Sequence, residues 1–220
     1  MTNTPNDITC VYYTAGTISP QFADNMMVHL LEATGDIPLI IIRKDENIPA
    51  NHFQIYRQAL EGAKQATTPY IALCEDDELY SPEHFKYRPR NAPFAYNLGY
   101  WGIYTWKPPM YQYKGRKNLG NLICLRQAFI DAIEERFAKY PNPEGQALQD
   151  IWAEPSRYER MLGVSIQESE DFYTNPPNIK FSHQTELSFA GLGTRKRAGN
   201  LQAEVLPFWG SAENLLQLYE

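Results

Sequence analysis

The chain has 220 residues, 20 basic against 26 acidic side chains, and a formal charge of −6. Hydrophobic residues at 43% place it among folded proteins able to bury a core, not among disordered chains. Its longest aliphatic stretch, Ile37 to Ile42, is too short to cross a bilayer, and Cys10, Cys74 and Cys124 are too few for a disulfide scaffold or a zinc knuckle.

No apolar segment follows the polar N-terminus, so the expectation is a cytoplasmic, reduced protein without membrane insertion. Net acidity argues against coating nucleic acid by charge alone but leaves a local basic groove open. The 15 tyrosines and 4 tryptophans fit a core, and they also fit the walls of a sugar or base pocket.

The N-terminal half alternates strand and helix signals. Ile8 to Tyr13 predicts a buried strand ending in the polar loop Thr14-Ala15-Gly16-Thr17. Ser19-Pro20 reads as an N-cap with proline at the first helical position, and Phe22, Met26 and Leu30 give a stripe that closes near Gly35. Ile37 to Ile42 is apolar on both faces, which predicts a central parallel strand. Phe53, Tyr56, Leu60 and Ala63 mark the next helix, and Tyr70 to Cys74 a third strand. This order predicts an α/β fold, a single domain over 1–220 with a mainly parallel, Rossmann-like central sheet. In such sheets the active crevice lies beyond the carboxyl ends of the strands. The Thr14 loop and the acidic run Glu75-Asp76-Asp77-Glu78 both fall there.

The second half is less regular. Lys86, Arg88 and Arg90 form a small basic cluster, and Tyr96 to Trp106 predicts one or two strands lining an acceptor side. Asn118 to Leu125 reads as extended, followed by a helix over Gln127 to Lys139 with Phe129, Ile133 and Phe137 inward. A short helix is expected near Ala147 to Trp152, and short strands at Val164 to Ile166 and Ile179 to Phe181. Residues 190–200 form a basic loop, and a last helix follows Ala212.

If the pleat of the third strand persists, Glu75 and Asp77 point to one side and Asp76 to the other. Two carboxylates so spaced can hold one hard divalent cation against phosphate oxygens and so stabilise a diphosphate as leaving group. A solvated acidic turn has the same spacing. Four adjacent carboxylates repel one another, however, and cost stability unless a cation is present.

The stretch Thr68 to Phe85 (TPYIALCEDDELYSPEHF) resembles the signature of family-two-type nucleotide-sugar glycosyltransferases with the GT-A fold, in which an apolar strand leads into a DxD-type motif. Here the pattern is E-x-D. The resemblance implies binding of Mn2+ or Mg2+ and a nucleotide-sugar, with Asp77 as metal ligand, Glu75 on metal or ribose, and Asp76 at the donor. It extends to Tyr13-Thr14-Ala15-Gly16, similar to the segment that holds base and ribose, so that Thr14, Ala15 and Gly16 are donor-binding candidates. Residues 1–90 would then be the nucleotide-sugar half and 91–220 the acceptor and catalytic half.

Later matches are shorter. Gln149-Asp150 before Ile151-Trp152 resembles the acidic pair from which the family's inverting enzymes draw their base, which makes Asp150 the catalytic candidate. Glu154 and Glu159 are alternatives. His183, past a late strand, is similar to the family's third metal ligand, and Arg195, Lys196 and Arg197 resemble its diphosphate-clamping loop. A structural histidine and a solvated charge run are the other readings of these residues.

The expectation is a metal-dependent glycosyltransferase that moves a sugar from a nucleoside diphosphate, a UDP-sugar first, to an acceptor hydroxyl with inversion. The acceptor is a glycan. Alternatively it is hydroxymethylated DNA, since small size and basic groups beside aromatics are also similar to compact phage enzymes that would work in the host cytoplasm. A nucleotidyltransferase would usually place a basic, glycine-rich loop after its first strand, and Thr14 to Ser19 has no basic residue. A non-catalytic nucleotide-sugar binding protein would tolerate loss of the acidic set.

Overall fold

The computed structural model describes residues 7–141, 154–187 and 201–219. In chain order it begins with strand β1 (Ile8–Tyr13), helix α1 (Pro20–Thr34), β2 (Leu39–Ile42), α2 (His52–Gln65) and β3 (Tyr70–Glu75). After β3 come β4 (Glu78–Leu79), β5 (Phe94–Asn97), β6 (Tyr100–Tyr104), β7 (Tyr111–Tyr113), β8 (Leu122–Leu125) and α3 (Arg126–Lys139). Then follow α4 (Glu159–Leu162), β9 (Ser169–Phe172), β10 (Asn178–Ser182), β11 (Gln202–Ala203), β12 (Val205–Leu206), β13 (Gly210–Ser211) and α5 (Ala212–Leu216).

Local chemistry sets the helix ends. The Ser19 side chain accepts from Phe22 N, Pro20 opens α1, and Gly35 ends it at φ +55°. Asn51 caps α2 by accepting from Gln54 N. Gly62 lets α2 press onto β1, because a Cβ there would stand 2.2 Å from Val11 Cγ1.

The central sheet runs β2-β1-β3-β8-β5-β9. β1 is parallel to β2 and β3, β8 is antiparallel to β3 and β5, and β9 is parallel to β5. The fold is therefore α/β with mixed sheets, and the central sheet, with three parallel and two antiparallel pairings, is not clearly the mainly parallel one expected. β8 reaches its place from the second sheet through a 3-10 turn at Leu119–Asn121 rather than by a helical crossover, so nothing obliges it to run parallel. β2 is also an edge strand, not a central one. Its Ile40 packs against the α2 face and Leu39 against the α1 face, while Ile41 is exposed. An apolar run reports contact on both faces but not whether a neighbour lies on both edges.

β1 is buried on both sides. Val11 and Tyr13 pack with Phe53, Tyr56, Phe129 and Ile133 beneath α2 and α3, and Cys10 and Tyr12 join Leu30 of α1 on the other face. A second sheet runs β11-β7-β6-β10-β4. Phe22 and Met26 of α1 pack against its Leu79, Ile103, Ile179 and Phe181. The chain leaves the first sheet at Glu75 and joins the second at Glu78, so the acidic run is the junction of the two sheets.

Two smaller expectations also change. Val164 to Ile166 is not a strand, since Ser165 N and Oγ bond Glu135 Oε1 at 2.9 and 3.0 Å and Ile166 is exposed. The strand forms later, at Ser169–Phe172 on the sheet edge, where polar residues are tolerated. The basic cluster at 86–90 is not one surface, because Arg88 is buried in an ion pair with Asp7 (Nε to Oδ1 2.8 Å) and donates to the Phe85 and Tyr87 carbonyls. The helix expected at 147–152 and the basic loop at 190–200 lie outside the described residues.

Candidate active site

β1 and β3 end side by side, with Tyr13 opposite Glu75. Their carboxyl ends open into a cleft of about 890 Å³, its mouth included. Ala15 and Thr17 of the β1 loop, His52, Ile55 and Tyr56 of α2, the acidic run, and Lys180 and His183 line it, with Arg116, Asn118 and Glu154 also in its walls.

The four acidic side chains are held differently. Glu75 accepts from the Tyr13 hydroxyl at 3.0 Å through Oε1 and forms an ion pair with Lys180 through Oε2. Asp77 Oδ1 accepts from Lys180 Nζ at 2.7 Å. Asp76 turns to the other side and accepts from the Thr14 hydroxyl. Thr14 Oγ1 in turn accepts from Gly16 N at 2.8 Å, and Thr14 N donates to Gln58 at 3.1 Å, so the β1 loop is fastened to both β3 and α2. Glu78 is buried, and neither of its carboxyl oxygens has a hydrogen-bond partner among the described residues. Gly120 makes room for these groups: a Cβ there would lie 2.8 Å from Glu78 Oε2 and 3.0 Å from Glu75 Oε2. The Tyr80 hydroxyl accepts from Glu75 N and donates to the Gly120 carbonyl, each at 2.9 Å.

Burial and the neighbouring Asp77 charge push the Asp76 carboxyl up to about 7, although the Thr14 bond opposes them. Burial would also raise Asp77, but Lys180 and His183 outweigh it and hold Asp77 down to about 2. Burial drives Glu78 well above the carboxylate range. Burial disfavours the Lys180 ammonium, yet Asp77 and Glu75 more than compensate and keep it charged.

Lys180 is the residue that sequence reasoning missed. The acidic run does carry a cation, and the chain supplies it. The available signal was one lysine between Ile179 and Phe181 in an otherwise buried strand.

His183 is buried at the end of β10. Its Nδ1 lies 2.8 Å from Thr185 Oγ1, whose own proton goes to the Thr17 carbonyl at 2.6 Å. Nδ1 must therefore be the donor, and Nε2 faces Asp77 Oδ2 at 3.7 Å, too long for a hydrogen bond. A carboxylate oxygen and an imidazole nitrogen at that distance could hold a divalent cation between them, the ion taking the place of any Nε2 proton. Asp77 and His183 could hold the implied metal, while each oxygen of Glu75 already accepts one bond, from Tyr13 and from Lys180. Among the described residues no group of three His, Cys, Asp or Glu side chains is arranged for a metal, so further ligands would come from diphosphate or water.

The two alternative carboxylates separate clearly. Glu159 forms a buried ion pair with Arg136 at 3.0 Å and accepts from Ser156 N, which makes it a structural anchor. Glu154 faces the cleft, held by Arg157 Nη1 at 2.8 Å, and burial raises its carboxyl against the Arg157 charge. Ala15, Glu75, Asp76, Asp77 and His183 thus line one cleft, Thr14 reaches it through its bond to Asp76, and Gly16 is not in its walls, while Asp150, Arg195 and Arg197 lie outside the described residues.

No family model and no curated protein matches the chain. Solved structures give distant likenesses. A glycosyltransferase involved in glycosylation of the major capsid of the virus PBCV-1 matches at TM-score 0.39 and 11% identity, over 61% of this chain and 67% of that one. A nucleotidyl transferase from Methanothermobacter matches at TM-score 0.38 and 12% identity, over 83% of this chain and 89% of that one. Among the described residues no helix is long and apolar enough to cross a membrane.

Proposed function

We propose that the cleft binds a nucleoside-diphosphate sugar and transfers the sugar to an acceptor hydroxyl. The observation that carries this reading is the convergence of Asp77, His183 and Lys180 at the carboxyl ends of β1 and β3, beside the Thr14 loop. The nucleoside would lie along that loop and the α2 wall of His52, Ile55 and Tyr56, with Asp76 and Thr14 at the ribose. The diphosphate would lie over Asp77 and His183. A bound Mn2+ or Mg2+ there would neutralise the leaving nucleoside diphosphate.

Glu154 is the proposed general base. A carboxyl raised by burial accepts a proton near neutrality better than an ordinary one. The acceptor oxygen attacks the anomeric carbon, the carbon–oxygen bond to the diphosphate breaks, and the acceptor proton passes to Glu154. This is a single displacement and inverts configuration. Asp150, four residues upstream, is the base that the resemblance implies.

The test is product analysis. Release of nucleoside diphosphate from a nucleotide-sugar supports transfer of a glycosyl group. Release of pyrophosphate from a nucleoside triphosphate in the presence of a sugar phosphate would replace it with nucleotidyl transfer.

A further inference from the structure

We infer that Lys180 donates directly to the diphosphate of the donor, as a cation built into the chain beside the place of the divalent ion. The inference rests on the glycosyl-transfer reading and names how the same site holds its anion.

Four observations carry it. An ammonium has three N–H donors. Two of those of Lys180 are spent on Glu75 Oε2 and Asp77 Oδ1, and the third has no partner among the described residues. The side chain lines the cleft. Asp77 is shared, with Oδ1 to Lys180 and Oδ2 toward His183, so a diphosphate oxygen reaching an ion on Oδ2 lies beside the ammonium. The position is also rigid. β10 is an interior strand of the second sheet, with Lys180 paired across to Gly102 on one side and Glu78 on the other. An ammonium fixed in this way provides an ordered donor at little cost in side-chain entropy.

The competing explanation is that Lys180 serves only as counter-ion to the two carboxylates. The two roles differ in sign. A mere counter-ion competes with the divalent cation, so its removal would tighten cation-dependent anion binding. A diphosphate ligand weakens that binding when removed.

The experiment is calorimetric titration of inorganic pyrophosphate into the full chain, with and without Mg2+, for the parent, Lys180→Met, Lys180→Arg and the double variant Glu75→Gln/Lys180→Met. The double variant removes Lys180 and one of its two carboxylates, so that only Asp77 is left without the ammonium if the single variant does not fold. With Mg2+ present, we expect loss of Lys180 to weaken pyrophosphate about tenfold or more, as for a charged hydrogen bond, in whichever of the two Met variants folds. Lys180→Arg should recover most of the loss. Unchanged or tighter binding without Lys180 overturns the inference while leaving the glycosyl-transfer reading standing. A parent protein that binds no pyrophosphate under either condition overturns both.

Discussion

Replacing Arg136 with methionine should unfold the protein far more readily, and for a reason visible in one ion pair. Arg136 is fully buried on α3, and its Nη2 lies 3.0 Å from Glu159 Oε1, with side-chain exposures of 1% and 5%. The same Nη2 donates to the Glu154 carbonyl at 3.3 Å, and Glu159 also accepts from Ser156 N. The segment between them holds Ser156 and Tyr158 at φ 71° and 57°, left-handed conformations that side chains other than glycine resist. Arg136→Met leaves a buried carboxylate without its partner, which costs about 3–5 kcal/mol. For a chain of this size that corresponds to a fall in Tm of roughly 6–20 °C. Urea unfolding followed by tryptophan fluorescence measures the first quantity, and calorimetry the second. Removing both charges in Arg136→Met/Glu159→Met should recover a large part of the loss, because no unpaired charge remains. A loss below about 1 kcal/mol for the single variant would refute the assignment of this pair as the anchor of the Glu154 segment.

Other variants separate the roles within the cleft. Asp77→Asn should abolish the cation dependence of donor binding, whereas Glu75→Gln should keep it, measured by titrating a nucleotide-sugar with and without Mn2+. The reverse pattern would return the metal to Glu75. Glu154→Gln should leave donor affinity near that of the parent but slow transfer by about 10²–10⁴, and full turnover would move the base to Asp150. The pH dependence also follows from the acidic run. Asp76 holds its proton more tightly folded (about 7) than unfolded (3.8), so in cation-free buffer it makes stability fall as pH rises between those values. Asp77 does the opposite, and its contribution is lost as pH falls from 3.8 toward about 2. Asp76→Asn should flatten the fall above pH 4 in urea unfolding, and an unchanged slope would contradict the shift assigned to Asp76.

Much of the first half was legible because its signals are local. Ser19 and Pro20 start α1, Gly35 ends it, and β1 and β3 announce themselves as apolar runs. The acidic run was equally visible. What the sequence hid is long-range pairing. β2 is apolar yet lies at an edge, and β8 inserts antiparallel between β3 and β5. Periodicity describes the faces of a strand and is silent about its edges. Lys180 was hidden for the same reason, since its partners Glu75 and Asp77 lie more than 100 residues earlier and meet it only because β4 and β10 pair. The basic cluster at 86–90 misled in the opposite direction, because Arg88 is committed to Asp7 across the fold.

The central claim is that the cleft between the Thr14 loop and the Asp77–His183 pair binds a nucleoside-diphosphate sugar with a divalent cation. Calorimetric titration of the purified chain with UDP-, GDP-, dTDP- and CMP-sugars, with and without Mn2+, tests it most directly. The account predicts selective binding of one nucleoside-diphosphate sugar that Mn2+ strengthens and Asp77→Asn removes. Absence of binding by every nucleotide-sugar under both conditions would contradict it.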